Sequence, residues 1–136
     1  MNEKFALHKS YIKFAEEKTQ QAYEEFLCKF FKFAEESGDV PVLVKYYNKG
    51  QMHYARHAYV NTTQGHYLGI CTDPDECAKA PINETLVMGL DFLIEVMLED
   101  DRVKGICVNP YGDFPCFIPQ EHVQQLYDRK SINPES

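Results

Sequence analysis

Val40-Pro-Val-Leu-Val-Lys-Tyr-Tyr-Asn-Lys-Gly50 opens the stretch that decides the fold. Val40 to Tyr47 is rich in β-branched and aromatic residues, and Asn48-Lys49-Gly50 carries the turn chemistry of a hairpin. Met52 to Val60 then alternates Tyr, Ala and Val with His53, Arg56 and His57. The polar run Asn61-Thr62-Thr63-Gln64-Gly65 makes a second turn, and His66 to Thr72 a third strand. Strands joined by loops this short run antiparallel and adjacent. Residues 40–72 therefore predict a three-strand meander.

On the N-terminal side, Ser10 to Ser37 has helical periodicity. Tyr23, Phe26, Leu27, Phe30, Phe33 and Ala34 recur at three- and four-residue steps and form one broad apolar stripe, with Lys and Glu opposite. Such a stripe covers a sheet. Gly38 stands where a helix C-cap is expected. Tyr11, Phe14 and Ala15 extend the stripe backwards as a first helix broken near Thr19. On the C-terminal side, Asp73-Pro74-Asp75-Glu76 places a capping acid, a Pro at the first helical position and a Glu at the third. A short helix to about Ala80 follows. Asn83 is expected to cap a longer helix with the stripe Leu86, Leu90, Leu93, Ile94 and Met97, ended by Asp100-Asp101. Val103 to Asn109 reads as a strand, Pro110 to Asp113 as a turn, Phe114 to Ile118 as another strand, and Pro119 begins a last helix with Val123, Leu126 and Tyr127. The tail from Ser131 is loose.

The 136 residues suffice for one domain with a real core. They are 44% hydrophobic and 26% charged, with a formal charge of −7. That sign argues against a nucleic-acid partner, whose phosphates need clustered Lys and Arg. The first twenty residues lack the apolar run of a signal peptide, and no stretch approaches a membrane span. Five cysteines (Cys28, Cys71, Cys77, Cys107, Cys116) without a CxxC pair read as reduced thiols, with Cys28 and Cys107 in the core. The expected location is cytoplasmic, with no membrane partner.

Catalytic signals are sparse. His53 and His57 would suit a metal on a helix, where i and i+4 share a face. On a strand they stand about 13 Å apart, beyond one zinc. Neither a metal nor a cofactor is expected. Cys71 lies beside a predicted helix start, but Asp73, Asp75 and Glu76 would raise a thiol pKa there. Neither a Gly-rich phosphate loop nor a G-x-S-x-G elbow occurs. Tyr46, Tyr47, Tyr54, Tyr59 and Tyr67 crowd the meander. On an open sheet face they would make a recognition surface, bringing area and a hydrogen-bonding tip.

The segment Val103-Lys-Gly-Ile-Cys-Val-Asn-Pro-Tyr-Gly-Asp-Phe-Pro-Cys-Phe-Ile-Pro119 resembles the hallmark of the SseB-type (enhanced serine sensitivity) N-terminal domain family. There an apolar strand ends in Asn-Pro, and a Gly-containing turn leads to a second strand and a helix. Val40-Pro-Val-Leu-Val resembles that family's opening strand, and Tyr67-Leu-Gly-Ile-Cys-Thr-Asp-Pro-Asp-Glu its strand-to-helix step, with Cys71 where an aromatic is common. The likeness spans about residues 39–128. It implies a small bacterial α/β domain with a mixed sheet and no agreed catalytic set. The matching positions are Thr72, Asp73, Asn109, Pro110 and Gly112. Each has a structural role available, in capping a helix or shaping a turn.

The fold class is therefore α+β: a mixed β-sheet with an antiparallel meander, covered by helices. Residues 1–38 are an N-terminal helical extension packing on the domain, 39–130 the SseB-like α/β domain and 131–136 a loose tail, one domain overall. The expected function is a non-enzymatic protein-interaction or regulatory module with a protein partner bound through Tyr54 and Tyr67. One alternative is a small-ligand binder or enzyme using the rim of Thr72, Asp73, Asn109 and Tyr111. Another is a toxin-immunity protein whose acidic surface steers a basic target.

Overall fold

The computed structural model of the chain describes residues 2–36, 38–50, 52–79 and 85–125. It is an α+β fold of helices on a mixed sheet. Two helices, α1 (Asn2–Glu17) and α2 (Gln20–Glu35), come first. The break expected near Thr19 is a two-residue link. Lys18 takes φ 55°, and Thr19 caps α2 by accepting the Ala22 N–H at 3.1 Å. At the other end of α2 the Gly38 N–H donates to the Phe33 carbonyl at 2.9 Å. A Cβ at Gly38 would overlap the Phe33 ring, so a side chain has no room at this helix end.

The strands are β1 (Asp39–Lys49), β2 (Met52–His57), β3 (Tyr59–Thr62), β4 (Gly65–Ile70), β5 (Thr85–Gly89), β6 (Val103–Val108) and β7 (Cys116–Pro119). Between β4 and β5 lies the short α3 (Pro74–Cys77), and between β5 and β6 lies α4 (Leu90–Glu99). The expected meander forms with one change: its middle strand divides at Ala58. The Ala58 N–H donates to the Leu43 carbonyl at 2.9 Å, β2 pairs with β1 and β3 pairs with β4, all antiparallel. Beyond that corner the outer strands meet, Val42 opposite Ile70.

The chain from 85 to 100 corrects the expected single helix. Residues 85–89 are strand β5, antiparallel to β1, and the helix begins only at Leu90, with Gly89 as its N-cap in extended conformation. Asp100 is the C-cap as expected. Leu86 thus contributes to the core from a strand, while Leu90, Leu93, Ile94 and Met97 do so from α4. Thr85, Leu86, Val87 and Met88 fit a short strand as well as a helix turn, and pairing with β1 settles the matter. β6 lies parallel to β4, with Leu68 opposite Ile106 and Ile70 opposite Val108, and β7 returns antiparallel on its far side. Residues 120–125 are helical. Asn83, Leu126, Tyr127 and the tail 131–136 lie outside the described residues.

The main core joins both ends of the chain. Leu7 and Tyr11 of α1 and Phe26, Phe30 and Phe33 of α2 pack with α4, Val123 and one face of the sheet, including Val40, Val42, Leu68, Ile106 and Ile118. Leu7, Phe26, Leu68, Leu93 and Ile106 are fully buried. Truncating any of these to Ala is the kind of change that costs about 2–5 kcal/mol. Among the described residues no helix is long and apolar enough to cross a membrane.

Two expectations about cysteine are corrected. Cys28 is exposed on α2 rather than in the core, because the stripe turns Phe26 and Phe30 inward and carries residue 28 to the other side. Cys71 is disulfide-bonded rather than reduced, at the place where the chain leaves β4 and reverses into α3. The cytoplasmic reading loses the support it drew from reduced thiols. Cys107 and Cys116 are buried and free.

Candidate functional site

The parallel pair β4 and β6 ends in the two buried polar side chains found among the described residues, Thr72 and Asn109. The Thr72 N–H donates to Asn109 Oδ1, and Asn109 Nδ2 donates to Thr72 Oγ1, both at 2.9 Å. Asn109 also donates its backbone N–H to the Ile70 carbonyl at 2.8 Å and accepts from the Gly112 N–H at 3.0 Å. It takes φ 53°, a left-handed conformation that Asn tolerates better than most residues. The sequence reading gave Asn109 a turn-bridging amide. In the fold that amide bridges two strands.

Helix α1 closes over this pair. His8 Nδ1 lies 2.7 Å from Thr72 Oγ1. That oxygen also accepts from Asn109, so His8, Thr72 and Asn109 form one hydrogen-bonded chain. One turn further, the Tyr11 hydroxyl donates to the Phe114 carbonyl at 2.6 Å, beside the Asn109 side chain. Burial pushes the Tyr11 hydroxyl up to about 12, with the Asn109 contact working in the opposite direction. Both Tyr11 and His8 belong to the N-terminal extension, which therefore completes the strand-end site.

The other rim positions have plain geometric roles. Asp73 Oδ1 accepts the Asp75 N–H at 2.7 Å and its carbonyl accepts the Glu76 N–H at 3.0 Å, capping α3 as the sequence suggested. Tyr111 projects from the turn after β6 and is 45% exposed. Tyr67 is only 8% exposed, its ring edge-on to Phe117 with centroids 5.0 Å apart. The side chain of Tyr54 lies outside the described residues. The structure thus gathers Thr72, Asp73, Asn109 and Tyr111 at one end of the sheet and places Tyr67 elsewhere, with little of its surface accessible.

Beside the strand ends is an open cleft of about 390 Å³. Tyr11, Ile12, Ala15, Glu16 and Lys18 line it from α1 and its C-terminal link, Glu76 and Lys79 from the α3 segment, and Asp113 and Phe114 from the turn after β6. Lys79 Nζ lies 3.2 Å from Glu76 Oε1. Glu76 Oε2 is buried against Gly112, where a Cβ would overlap it, and has no hydrogen-bond partner among the described residues. Lys18 Nζ sits 5.8 Å from the centroid of the Phe114 ring. Sequence reasoning missed His8, Tyr11, Lys18, Glu76 and Phe114 as site residues. Tyr11 was visible as a core position with a polar tip, but nothing in a linear pattern indicates which strand end a helix will cover.

A second hollow of about 350 Å³ lies between α2 and residues 120–125, where Tyr23 and His122 share a hydrogen bond of 2.8 Å and Cys28 lines the wall. His53 and His57 are both on the extended β2. Among the described residues no group of three metal-ligating side chains converges.

These features define a helix-covered mixed sheet with a cleft at the carboxyl ends of its parallel pair. Comparison of the chain with protein-family models, with curated proteins and with solved structures gave no match.

Proposed function

We propose that this chain is a non-enzymatic regulatory module that binds a small ligand in the cleft between α1 and the strand-end turns. The observation that carries the proposal is the position of that cleft. In sheets with parallel strands, ligands enter the crevice outside the carboxyl ends, where following loops supply the contacts. Here the α3 segment follows β4, the 109–114 turn follows β6, and both line the cleft. The non-enzymatic part is supported by the engagement of the buried polar groups. Thr72 and Asn109 spend side-chain hydrogen bonds on each other and on His8, and the Tyr11 hydroxyl is spent on the Phe114 carbonyl. In this reading Thr72 and Asn109 hold the cleft in shape, while Tyr11, Glu76, Asp113 and Phe114 face the ligand. The SseB-type resemblance is compatible with it and assigns no residue a chemical role.

The test is a thermal-shift screen of a broad metabolite library on wild type and on Ala15→Phe, which places a ring in the cleft. A compound that raises the melting temperature of wild type but not of Ala15→Phe is the expected result. A library without hits, or hits indifferent to that substitution, would overturn the proposal.

A second reading, a protein-interaction module, draws on a different surface. Val87 on β5 is 69% exposed and Phe92 at the start of α4 is 55% exposed. Apolar side chains this open suit a partner. A partner captured by wild type and lost on Val87→Lys with Phe92→Lys would favour this reading, whereas retention would reject that surface. The toxin-immunity reading keeps the −7 charge as its support, and its association rate should fall steeply with salt.

A further inference from the structure

We infer that the cleft selects an organic cation, an ammonium or guanidinium group on a short alkyl stem. This deepens the ligand-binding proposal above and rests on it. Three observations converge. The lining carries the carboxylates of Glu16, Glu76 and Asp113 against two lysines, in a chain of net charge −7. Both lysines already have partners inside the protein: Lys79 is paired with Glu76 Oε1, and Lys18 lies over the Phe114 ring. An incoming anion would have to compete for them. An incoming cation has Glu16 and Asp113, which form no ion pair among the described residues, and competes only for Glu76 and the Phe114 face.

The Lys18 contact is itself informative. An ammonium 5.8 Å from the Phe114 centroid is within the range in which an aromatic face attracts a cation. The chain thus occupies with its own side chain a position that suits a ligand's charged group. Lys18 is held there from a left-handed backbone position at the α1–α2 link, φ 55°. Ile12, Ala15 and Phe114 supply an apolar wall for an alkyl stem. Behind them Glu76 Oε2, packed against Gly112, is a buried carboxylate oxygen without a donor among the described residues. Buried oxygens of this kind are normally hydrogen-bonded, and one that is not favours any N–H that a small rearrangement brings within reach. Aromatic face, carboxylates and apolar wall together are the recognition chemistry of an alkyl ammonium or guanidinium.

The experiment compares three probes with one stem and different head groups: butylammonium, butyrate and butanol. Each is titrated into the ¹⁵N-labelled full chain and followed by amide chemical shifts. The expected result is saturable shifts at residues 11–18, 76–79 and 112–114 with butylammonium, and none with butyrate or butanol. Asp113→Asn should weaken that binding. Lys18→Asn keeps a residue type tolerant of positive φ and frees the Phe114 face. It should tighten binding about two- to fivefold, the equivalent of one exposed cation–π contact. Circular dichroism of both variants checks that the fold is retained.

Preferential binding of butyrate or butanol in the cleft would overturn the cation assignment and leave the cleft as a ligand site. Butylammonium shifts scattered outside the cleft, or unchanged by both substitutions, would overturn it as well. If no probe binds but library hits remain sensitive to Ala15→Phe, the cation assignment falls alone. If those hits are also missing, both proposals fall.

Discussion

Thr72 and Asn109, thirty-seven positions apart, are joined by two hydrogen bonds that run in opposite directions, one from the Thr72 backbone and one from the Asn109 amide. The pair extends the joined ends of two parallel strands one step past their last backbone bond, from the Asn109 N–H to the Ile70 carbonyl. It also gives α1 its polar anchor, because the Thr72 hydroxyl is the group His8 meets. Asn109 is wholly buried, so losing its amide leaves the Thr72 N–H without its acceptor and the Thr72 hydroxyl with His8 alone.

Asn109→Ala is therefore expected to cost about 2–4 kcal/mol, combining unsatisfied buried groups with an unfavourable left-handed Ala. Asn109→Gly relieves only the backbone part and should fall between wild type and Ala. Urea denaturation of the three proteins checks the order. Equal stability of Gly and Asn at this position would show that the amide bonds contribute nothing.

Gly38→Ala tests a steric requirement. The new methyl meets the ring of Phe33, which is 5% exposed and part of the core. The ring has to move within packed surroundings, at a cost of about 1–3 kcal/mol. Removing the obstruction in a Gly38→Ala/Phe33→Leu double variant should make the two effects clearly non-additive. Simple additivity of the denaturation free energies would contradict the contact.

The α1–α2 link depends on its cap. Thr19→Ala removes the acceptor of the Ala22 N–H and should lower stability by about 1 kcal/mol, while Thr19→Ser should be nearly neutral. Thermal melts of both variants decide it. Equal losses would mean that the Thr19 methyl, rather than its hydroxyl, matters.

Alkaline pH should destabilise the fold earlier than its surface charges imply. Burial pushes the thiols of Cys107 and Cys116 up to about 12 from 9.0, with Cys116 adding to the effect at Cys107, and the Tyr11 phenol up to about 12 from 10.0. Each group stays protonated in the fold over a range where the unfolded chain ionises it. Their stabilisation is complete below the unfolded values and is lost as pH rises towards the folded ones. The slope is about 1.4 kcal/mol per pH unit for each group titrating only in the unfolded chain. Denaturation curves from pH 8 to 11 should show the decline, and Cys107→Ala with Cys116→Ala should flatten it. An unchanged slope in that variant rules out the thiols as its source.

Tyr67→Ala should act on stability before it acts on any partner. The ring is buried across Gly105 of β6 against Phe117 of β7, and its removal is expected to cost about 3–5 kcal/mol. A well-folded Tyr67→Ala protein with an intact melting temperature would restore Tyr67 as a surface residue.

The legible parts of the sequence were those where local pattern and tertiary demand agree. The Phe26, Phe30 and Phe33 spacing gave α2 and its buried face, and Asp73-Pro74 gave the start of α3. Of the expected turn Asn48 to Gly50 only Gly50 lies in the turn, since Asn48 and Lys49 pair with His53 and Met52 in the ladder. The segment 85–89 was illegible because its apolar residues satisfy both periodicities, and only the open edge of β1 selected a strand. The division of the meander at Ala58 was hidden for a similar reason, since a single continuous strand reads identically until two different neighbours compete to pair with its halves.

For the site, the sequence by itself determined the strand-end residues Thr72, Asp73 and Asn109, because caps and turns are local and leave residue-type signatures. Only the tertiary structure decided that β4 and β6 run parallel and that Thr72 and Asn109 consequently meet. It also decided that α1 lays His8, Tyr11 and Lys18 over their ends. These are contacts across many tens of residues, set by which apolar faces bury each other best. Burial has no direction of its own that a single chain segment could display.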